Sequence, residues 1–357
     1  MKSLAPAEFC SETTYLNTAA YGLPPARGLA AVREATARWA AGRGSGLASD
    51  DESVETVRAG FARLLTGATP DDIGLGGTAA GLVGPVVDAL APGAEVLIAD
   101  GEFSSVSMPF LHRGDLSVRF VPLADLADRV RAETALVAVS VVQSANGRVT
   151  DLSRLRAATS AHGTRLLVDA TQAAGWLPLR FADADYWICA TYKWMMGARS
   201  VAFFAVGPEA AAALRPLSPG WYAAADRWAE LYAPVALANS ARRFDFSPDW
   251  LGILVASAGL SLLEELTVEA VHAHDIGLAD RFRAGLVERG YTPVPGRSAI
   301  VSVPGAGASA ARLEQADIVV AARGGGLRFA FHLYNSADDV DRALEVLGDA
   351  EHLDADA

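Results

Sequence analysis

The stretch from Leu166 to Ala205, LLVDATQAAGWLPLRFADADYWICATYKWMMGARSVAFFA, decides the interpretation of the whole chain. Its pattern predicts one strand that ends in Asp169 and a second strand that ends with Lys193. A third strand is predicted over 201–206, after a glycine turn. An unpaired lysine between two apolar strands is costly to bury. We therefore expect Lys193 to serve the chemistry of a site rather than to lie on the surface.

Strands and helices alternate around this stretch. Such alternation predicts a mostly parallel sheet with helices on both faces. Ligands of such sheets collect outside the carboxyl ends of the strands, where Asp169 and Lys193 fall. Helices are predicted over 26–39, 54–65, 123–132 and 152–162, a surface loop over 41–51, and strands over 95–99 and 135–142.

The pattern loosens after residue 208, and we predict a second, smaller domain of α+β type there. The predicted domains are an N-terminal arm (1–16), a large domain (17–250) and a small C-terminal domain (251–357). The predicted elements beyond the large domain are an apolar helix over 251–271, a helix over 276–289, a strand over 300–303 and a helix over 337–347.

Composition excludes several classes of protein. The net charge of -12 argues against a nucleic-acid or anionic-membrane partner. Cys10 and Cys189 belong to no CxxC or CxH cluster, which argues against a disulfide framework and against a metal site. The sequence shows neither a signal-peptide pattern nor a run of about 18 apolar residues. We therefore expect a cytoplasmic protein.

In Asp169, Gln172 and the sequence TYK that ends in Lys193, the chain resembles the class V aminotransferase family of fold-type I enzymes. That family includes cysteine desulfurases, kynureninases and the isopenicillin N epimerase group. The resemblance implies a large, mostly parallel sheet of seven-stranded type, a smaller C-terminal α+β domain, and a homodimer with shared active sites. It also implies pyridoxal 5'-phosphate, which needs a lysine to condense with its aldehyde and a carboxylate to keep its pyridine nitrogen protonated.

The resemblance assigns roles to further residues. Lys193 is the expected catalytic residue, and Asp169 is expected to hydrogen-bond the ring nitrogen. Gly77 and Thr78 stand before a predicted helix, where free backbone N–H groups favour the cofactor phosphate. The other implied cofactor contacts are Phe103 (stacked on the ring), Gln143 (phenolic oxygen), Gln172 (ring oxygen), Thr191, Tyr192 (phosphate) and Ser247 (the neighbouring subunit's phosphate, in place of the usual Gly-Thr).

On the substrate side, the string LRFAFHLYN resembles the family segment whose arginine holds the substrate carboxylate. That role falls on Arg328, because a guanidinium pairs with a carboxylate through two hydrogen bonds. Asn17 and Tyr21 are implied at the substrate entrance. Trp221 lies in a Pro/Gly loop with exposed aromatic residues and can face a substrate or a partner subunit. His332, in the same string as Arg328, is interpreted as structural.

The resemblance leaves the reaction open. A desulfurase needs a nucleophilic cysteine near the substrate arginine, and no cysteine follows Ala190. Three reactions on an amino acid remain: transamination, which we favour as the family's common chemistry, β-elimination such as C–S bond cleavage, and epimerisation. Epimerisation needs a second acid or base, for which Tyr21 or Tyr222 is a candidate. A non-enzymatic regulator that binds the cofactor is disfavoured because Lys193 and Asp169 are both present.

Overall fold

The computed structural model describes residues 1–43, 47–228, 231–232 and 235–350. Its strands are β1 (Thr14–Tyr15), β2 (Leu65–Thr66), β3 (Ile73–Gly76), β4 (Glu95–Ala99), β5 (Ser117–Val121), β6 (Thr134–Ser140), β7 (Arg165–Asp169), β8 (Leu179–Arg180), β9 (Tyr186–Ala190), β10 (Ala202–Val206), β11 (Ile300–Val303), β12 (Ile318–Val319), β13 (Ala321–Arg323) and β14 (Gly326–Ala330). Its helices are α1 (Ala26–Ala40), α2 (Leu47–Leu64), α3 (Ala79–Asp88), α4 (Ser104–Arg113), α5 (Leu152–His162), α6 (Pro208–Ala212), α7 (Trp250–Leu266), α8 (Val268–Glu288), α9 (Ala310–Gln315) and α10 (Ala337–Leu347).

The large sheet has 7 strands in the order β3-β10-β9-β7-β6-β4-β5. Strands β5, β4, β6, β7 and β9 are parallel to one another. Only β10 runs against its neighbours β9 and β3 within this sheet. The predicted α/β fold with a large, mostly parallel sheet is therefore confirmed.

Helices cover both faces of this sheet, and the side chains of each strand alternate between two cores. Along β6, Leu136 and Ala138 point into the core that contains α3 and α4. Val137 and Val139 point into the opposite core, with α2, α5 and α7. Because both faces are covered, polar side chains gather at the carboxyl edge of the sheet.

A second, antiparallel sheet of β11, β14 and β13 forms the small domain together with α8 and α10. The N-terminal segment joins this domain, because β1 pairs in parallel with β12. Helix α7 shares the core of the large sheet, whereas α8 contributes mainly to the core of the small domain. The domain boundaries at 16 and 250 stay a prediction, and core packing places α7 with the large sheet.

Two predicted elements near the surface are wrong. The segment predicted as a helix over 123–132 forms two 3₁₀ turns, Leu123–Asp125 and Ala127–Arg129. Leu126 and Val130 are its buried anchors, which gives too narrow an apolar face for a packed helix. The loop predicted over 41–51 is shortened because α2 begins at Leu47. Residues 44–46 of that predicted loop lie outside the described residues.

The long helix predicted over 251–271 is broken at Thr267, whose φ of 69° cannot continue a right-handed helix. Its side chain then caps the next helix, accepting a hydrogen bond from the Ala270 amide. Helices α7 and α8 consequently meet at an angle of 87°. Across the described ranges, no single helix is long and apolar enough to cross a membrane, and only this bent pair passes by length and composition.

Candidate active site

A cavity of about 310 Å³ opens at the carboxyl edge of the large sheet. Parallel strands place their C-terminal residues on one edge, so side chains that follow different strands converge there. The cavity wall brings together six residues that the sequence singled out: Thr78, Phe103, Asp169, Gln172, Tyr192 and Lys193.

Asp169 and Lys193 are the buried charged pair of this wall. Asp169 ends β7 and accepts a hydrogen bond of 2.7 Å from the Thr171 amide, and burial raises the pKa of its carboxyl group. Burial lowers the pKa of Lys193 to about 8, against the opposing attraction of Asp169. An amine with such a pKa is partly neutral near physiological pH, and a neutral amine is nucleophilic. The other lysine of the chain, Lys2, is exposed.

An aromatic face stands beside the lysine. Phe103 immediately precedes α4, and its side chain remains 42% exposed although the strands behind it are buried. The Lys193 ammonium nitrogen lies 5.3 Å from the centroid of the Phe103 ring and 5.5 Å from that of Tyr192. An exposed ring at this place can stack on a flat heterocycle that is attached to the lysine.

The N-terminus of α3 provides the anion-binding part of the wall. Thr78 caps this helix, and its hydroxyl oxygen accepts a hydrogen bond of 3.1 Å from the Gly81 amide. Gly77 and Thr78 are both exposed, and Thr78 lines the cavity. The remaining N–H groups of the first turn and the helix dipole favour a phosphate there. A lysine, a buried carboxylate, an aromatic face and an anion site together fit pyridoxal phosphate.

Arg328 is a second buried cation near this pair. It lies on β14, is 2% exposed, and donates from Nη1 to the carbonyl and hydroxyl oxygens of Ser144. Its Nε and Nη2 have no hydrogen-bond partner among the described residues. Burial lowers the pKa of Arg328 to about 10. Because buried N–H groups are normally paired, these two are suited to an incoming carboxylate.

Two predicted cofactor contacts are buried behind the wall rather than in it. The amide nitrogen of Gln143 donates to Glu102 at 2.9 Å. The Thr191 hydroxyl donates to the backbone oxygens of Ala198 and Val201, at 2.9 and 3.0 Å. Thr191 therefore holds the turn that follows the lysine. Direct cofactor contacts of Gln143 and Thr191 stay predictions.

Predicted residues at the periphery are more scattered. Trp221 packs its ring against Tyr222 and Trp228, with centroid distances of 5.2 and 5.0 Å, and does not line the cavity. Ser247 is exposed outside the cavity of this chain. Asn17 forms a backbone bridge with Ala330, two residues beyond Arg328, and its buried Oδ1 has no partner among the described residues. Their ligand contacts stay predictions.

Sequence reasoning missed Arg199 and Glu102. The Arg199 guanidinium lines the cavity, with its central carbon 4.9 Å from the Tyr192 ring centroid and 5.1 Å from that of Tyr21. Tyr21, predicted at the entrance, is thereby brought to the same rim. Glu102 accepts hydrogen bonds from the amide of Ser140 at 2.7 Å and from Gln143. The acid in the turn DGEF was a usable signal, whereas an arginine in a glycine turn is common on surfaces.

Fold and site together define a pyridoxal-phosphate enzyme. The family described as aminotransferase class-V matches residues 14–343, and the chain belongs to that family. The resemblance inferred from the sequence is confirmed, and pyridoxal phosphate is the cofactor. Lys193 and Asp169 are the residues of this chain that would hold its aldehyde carbon and its ring nitrogen.

Comparison with curated proteins gives two kinds of relative. An uncharacterized aminotransferase of Bacillus subtilis (strain 168), YcbU, is 27% identical over 321 residues, which is 82% of this chain and 83% of that protein. The kynureninase of Deinococcus radiodurans is 28% identical over 175 residues, or 47% of this chain and 42% of the kynureninase. The similarity to the kynureninase therefore covers less than half of either protein.

Solved structures with the same fold have other activities. The cystine C–S lyase C-DES, in complex with cysteine persulfide, matches with a TM-score of 0.86 at 21% identity, covering 94% of this chain and 97% of the lyase. A cysteine desulfurase from Thermococcus onnurineus NA1 matches with a TM-score of 0.82 at 21% identity, covering 94% of each chain. At such identity these matches establish the fold alone.

Proposed function

We propose that this enzyme is an aminotransferase that acts on an α-amino acid with a free carboxylate. The observation that carries the proposal is a pair of buried cations: Lys193 in the cavity wall, and Arg328 behind Ser144 of the same wall. Arg328 is one of the charges that lower the pKa of Lys193, so the two side chains are close enough to interact. One cation can exchange a proton near neutral pH, and the other offers two unpartnered N–H groups.

The residues of the chain divide the work between binding and proton transfer. Bound pyridoxal phosphate supplies an electron sink for the bonds at the amino acid's Cα. Arg328 would hold the α-carboxylate by two parallel hydrogen bonds from Nε and Nη2. Lys193, released when the substrate amine takes its place on the cofactor, would remove the Cα proton. It would then return this proton to the cofactor carbon that had carried the aldehyde. Asp169 would keep the ring nitrogen protonated, and Phe103 would fix the plane of the ring.

The acid–base groups of the described cavity argue against epimerisation and fit both amino transfer and β-elimination. Transamination needs one proton carrier, and Lys193 has the required pKa of about 8. Epimerisation needs a second carrier, but the Tyr222 hydroxyl donates to Asp51 at 2.9 Å away from the cavity, and Tyr21 lies at the rim beside Arg199. Neither cysteine of the chain lines the cavity, since Cys189 is buried in β9 and Cys10 is exposed on the N-terminal arm. We favour amino transfer over β-elimination because the Bacillus subtilis relative, which aligns over 82% of this chain, is named an aminotransferase.

The proposal is tested with purified protein, pyridoxal phosphate and a panel of amino acids followed by visible absorption. An aminotransferase should lose its cofactor absorption band when the right amino acid is added and regain it with a keto acid. Accumulation of pyruvate and ammonia with a persistent band would show a β-eliminating lyase instead. Interconversion of D- and L-amino acids without amino transfer would show an epimerase.

The cofactor lysine can be checked in the same sample. Borohydride reduction should attach the cofactor mass to the peptide that contains Lys193 and leave Lys2 unmodified. Because these are the only lysines in the sequence, peptide mass spectrometry separates the two positions without ambiguity. Labelling of Lys2, or none at Lys193, would contradict the assignment of the site.

We further propose that the enzyme works as a homodimer. The cavity is open in one chain, and the apolar side chains of Phe103, Met108 and Phe246 are 42%, 41% and 40% exposed. Ser247 is also exposed and free to reach a phosphate in a second chain. Light scattering should give twice the chain mass of 37.2 kDa, and an active, cofactor-loaded monomer would contradict the proposal.

A further inference from the structure

The loop that carries Lys193 is held in place through its backbone. The Gly22 amide donates to the Tyr192 carbonyl at 2.8 Å, and a Cβ atom on Gly22 would lie 1.9 Å from the Lys193 carbonyl oxygen. A Cβ atom on Gly259 of α7 would lie 2.0 Å from the Met195 carbonyl oxygen. Side chains at either glycine would displace the loop. Its backbone is thus pressed between the segment before α1 and the helix α7.

A third element reaches the same loop from the small domain. His332, just beyond β14, lies with Nε2 2.9 Å from the Trp194 carbonyl oxygen. A carbonyl oxygen can only accept, so Nε2 carries the hydrogen and donates it. The carbonyl belongs to the residue next to Lys193. His332 is 0% exposed and packs its ring at 79° against the Trp194 indole, so it has one defined position.

Asp275 of α8 fixes the other side of the imidazole. Its Oδ2 lies 2.8 Å from His332 Nδ1, and its Oδ1 lies 3.0 Å from His274 Nδ1. His274 in turn reaches the backbone oxygen of Lys2 with Nε2 at 3.1 Å. Asp275 is 0% exposed. A continuous chain of hydrogen bonds therefore runs from the N-terminal arm, through α8 and His332, to the loop of the catalytic lysine.

We propose that His332, oriented by Asp275, is a positioning residue for Lys193. Its hydrogen bond to the Trp194 carbonyl fixes the loop, and with it the direction in which the lysine side chain leaves the backbone. The proposal needs Lys193 as the cofactor lysine and is independent of whether the reaction is amino transfer. Small displacements of a reacting group cost roughly 100-fold in rate, so this one contact has a measurable consequence.

Two isosteric amides separate the two hydrogen bonds of the ring. The amide nitrogen of His332→Gln can reach the place of Nε2, and that of His332→Asn the place of Nδ1. His332→Gln should therefore keep the bond to Trp194 and lose the bond to Asp275. His332→Asn should do the opposite. Both variants lose the same ring packing, so each is the control for the other.

The readout is the pH at which the cofactor absorption changes when pyridoxal phosphate is bound to Lys193, with no amino acid present. His332→Asn should shift this midpoint and lower kcat roughly 10- to 100-fold with little change in KM. His332→Gln keeps the bond to the Trp194 carbonyl and loses only the orienting bond to Asp275, so in both measurements it should fall between His332→Asn and the native enzyme. Because the titration uses the cofactor alone, its result does not depend on which reaction the enzyme catalyses.

Thermal unfolding of both variants distinguishes positioning from stability. If the unfolding temperature falls equally in the two variants and the absorption midpoint moves in neither, His332 is only structural and the proposal is overturned. Should His332→Asn fail to fold, Asp275→Asn serves in its place, because it leaves the imidazole in position but weakens its orientation. That variant should shift the midpoint in the same direction by a smaller amount, and an unchanged midpoint would also overturn the proposal.

Discussion

Two arginines are equally buried in this protein and have opposite surroundings. Arg58, on α2, is 1% exposed and donates to Glu55 at 3.1 Å, to Asp245 at 2.8 Å, and to the Ile73 carbonyl oxygen. Burial by itself lowers the pKa of Arg58, but the attraction of Asp245 and Glu55 outweighs it, and the net shift is upward. Arg58 is therefore fully paired within the protein, and its role is structural.

Arg328 shows the opposite balance. Burial lowers its pKa to about 10, and no carboxylate among the described residues offsets that effect. Its hydrogen-bond partner among the described residues is Ser144, which leaves Nε and Nη2 unpaired. The fold thus places carboxylates beside Arg58 but none of the described ones beside Arg328. A buried cation without a carboxylate partner is what a binding site for an anion requires.

The largest expected effect comes from replacing each arginine by methionine. Arg58→Met leaves Asp245 buried without its ion pair and should lower the free energy of unfolding by about 3–5 kcal/mol. Arg328→Met removes a cation that has hydrogen bonds to Ser144 but no carboxylate partner, so the unfolding free energy of the cofactor-free protein should change by less than about 1 kcal/mol. Its KM for the amino acid should instead rise at least roughly 30-fold, with pyridoxal phosphate affinity nearly unchanged. Urea unfolding and steady-state kinetics measure the two quantities.

The comparison fails if the two variants behave alike. Equal destabilisation by both substitutions would show that Arg328 is also a structural contact. Equal loss of amino-acid and cofactor binding in Arg328→Met would show that the substitution distorts the whole site. A folded Arg58→Met variant with native stability would show that Asp245 is satisfied by the Leu75 amide, which donates to it at 2.8 Å.

Local signals in the sequence were sufficient where one residue decides a boundary. The helix predicted over 152–162 is found as Leu152–His162, because Asp151 caps its start and Gly163 takes the left-handed conformation at its end. The strand Glu95–Ala99 was likewise predicted to the residue. By contrast, the break at Thr267 lies inside a continuous apolar pattern, and only the positive φ of that residue reveals it.

Some residues of the candidate site are likewise indicated by local sequence, whereas others reach the site only through tertiary packing. Asp169 and Lys193 were found because each follows a strand, and the carboxyl edge of a parallel sheet is where ligands bind. Arg199 comes to the cavity only through tertiary packing against Tyr21 and Tyr192, for which spacing in the sequence gives no signal. The lack of a carboxylate beside Arg328 is also a property of the tertiary structure, because it depends on every element that packs around this residue.

A smaller effect on the free energy of unfolding is expected at Lys193, because burial disfavours its charged form as well. Its pKa is about 8 in the folded protein and 10.5 in the unfolded chain. Between these pH values the unfolded chain binds a proton that the folded protein does not. Stability of the cofactor-free protein should therefore rise with pH through this window, and below it the full cost of the charge is present. At neutral pH, Lys193→Met should raise the free energy of unfolding by about 3 kcal/mol.

Urea unfolding of the cofactor-free proteins from pH 7 to 10 measures this, with Lys2→Met as the control on the exposed lysine. The difference between Lys193→Met and the native protein should shrink as the pH rises, because the buried lysine of the folded protein then loses its proton and its unfavourable charge. The control should stay within about 0.5 kcal/mol at every pH. If Lys193→Met were instead less stable throughout, the attraction of Asp169 would outweigh burial, and Lys193 would belong with Arg58 as a cation that the fold itself satisfies.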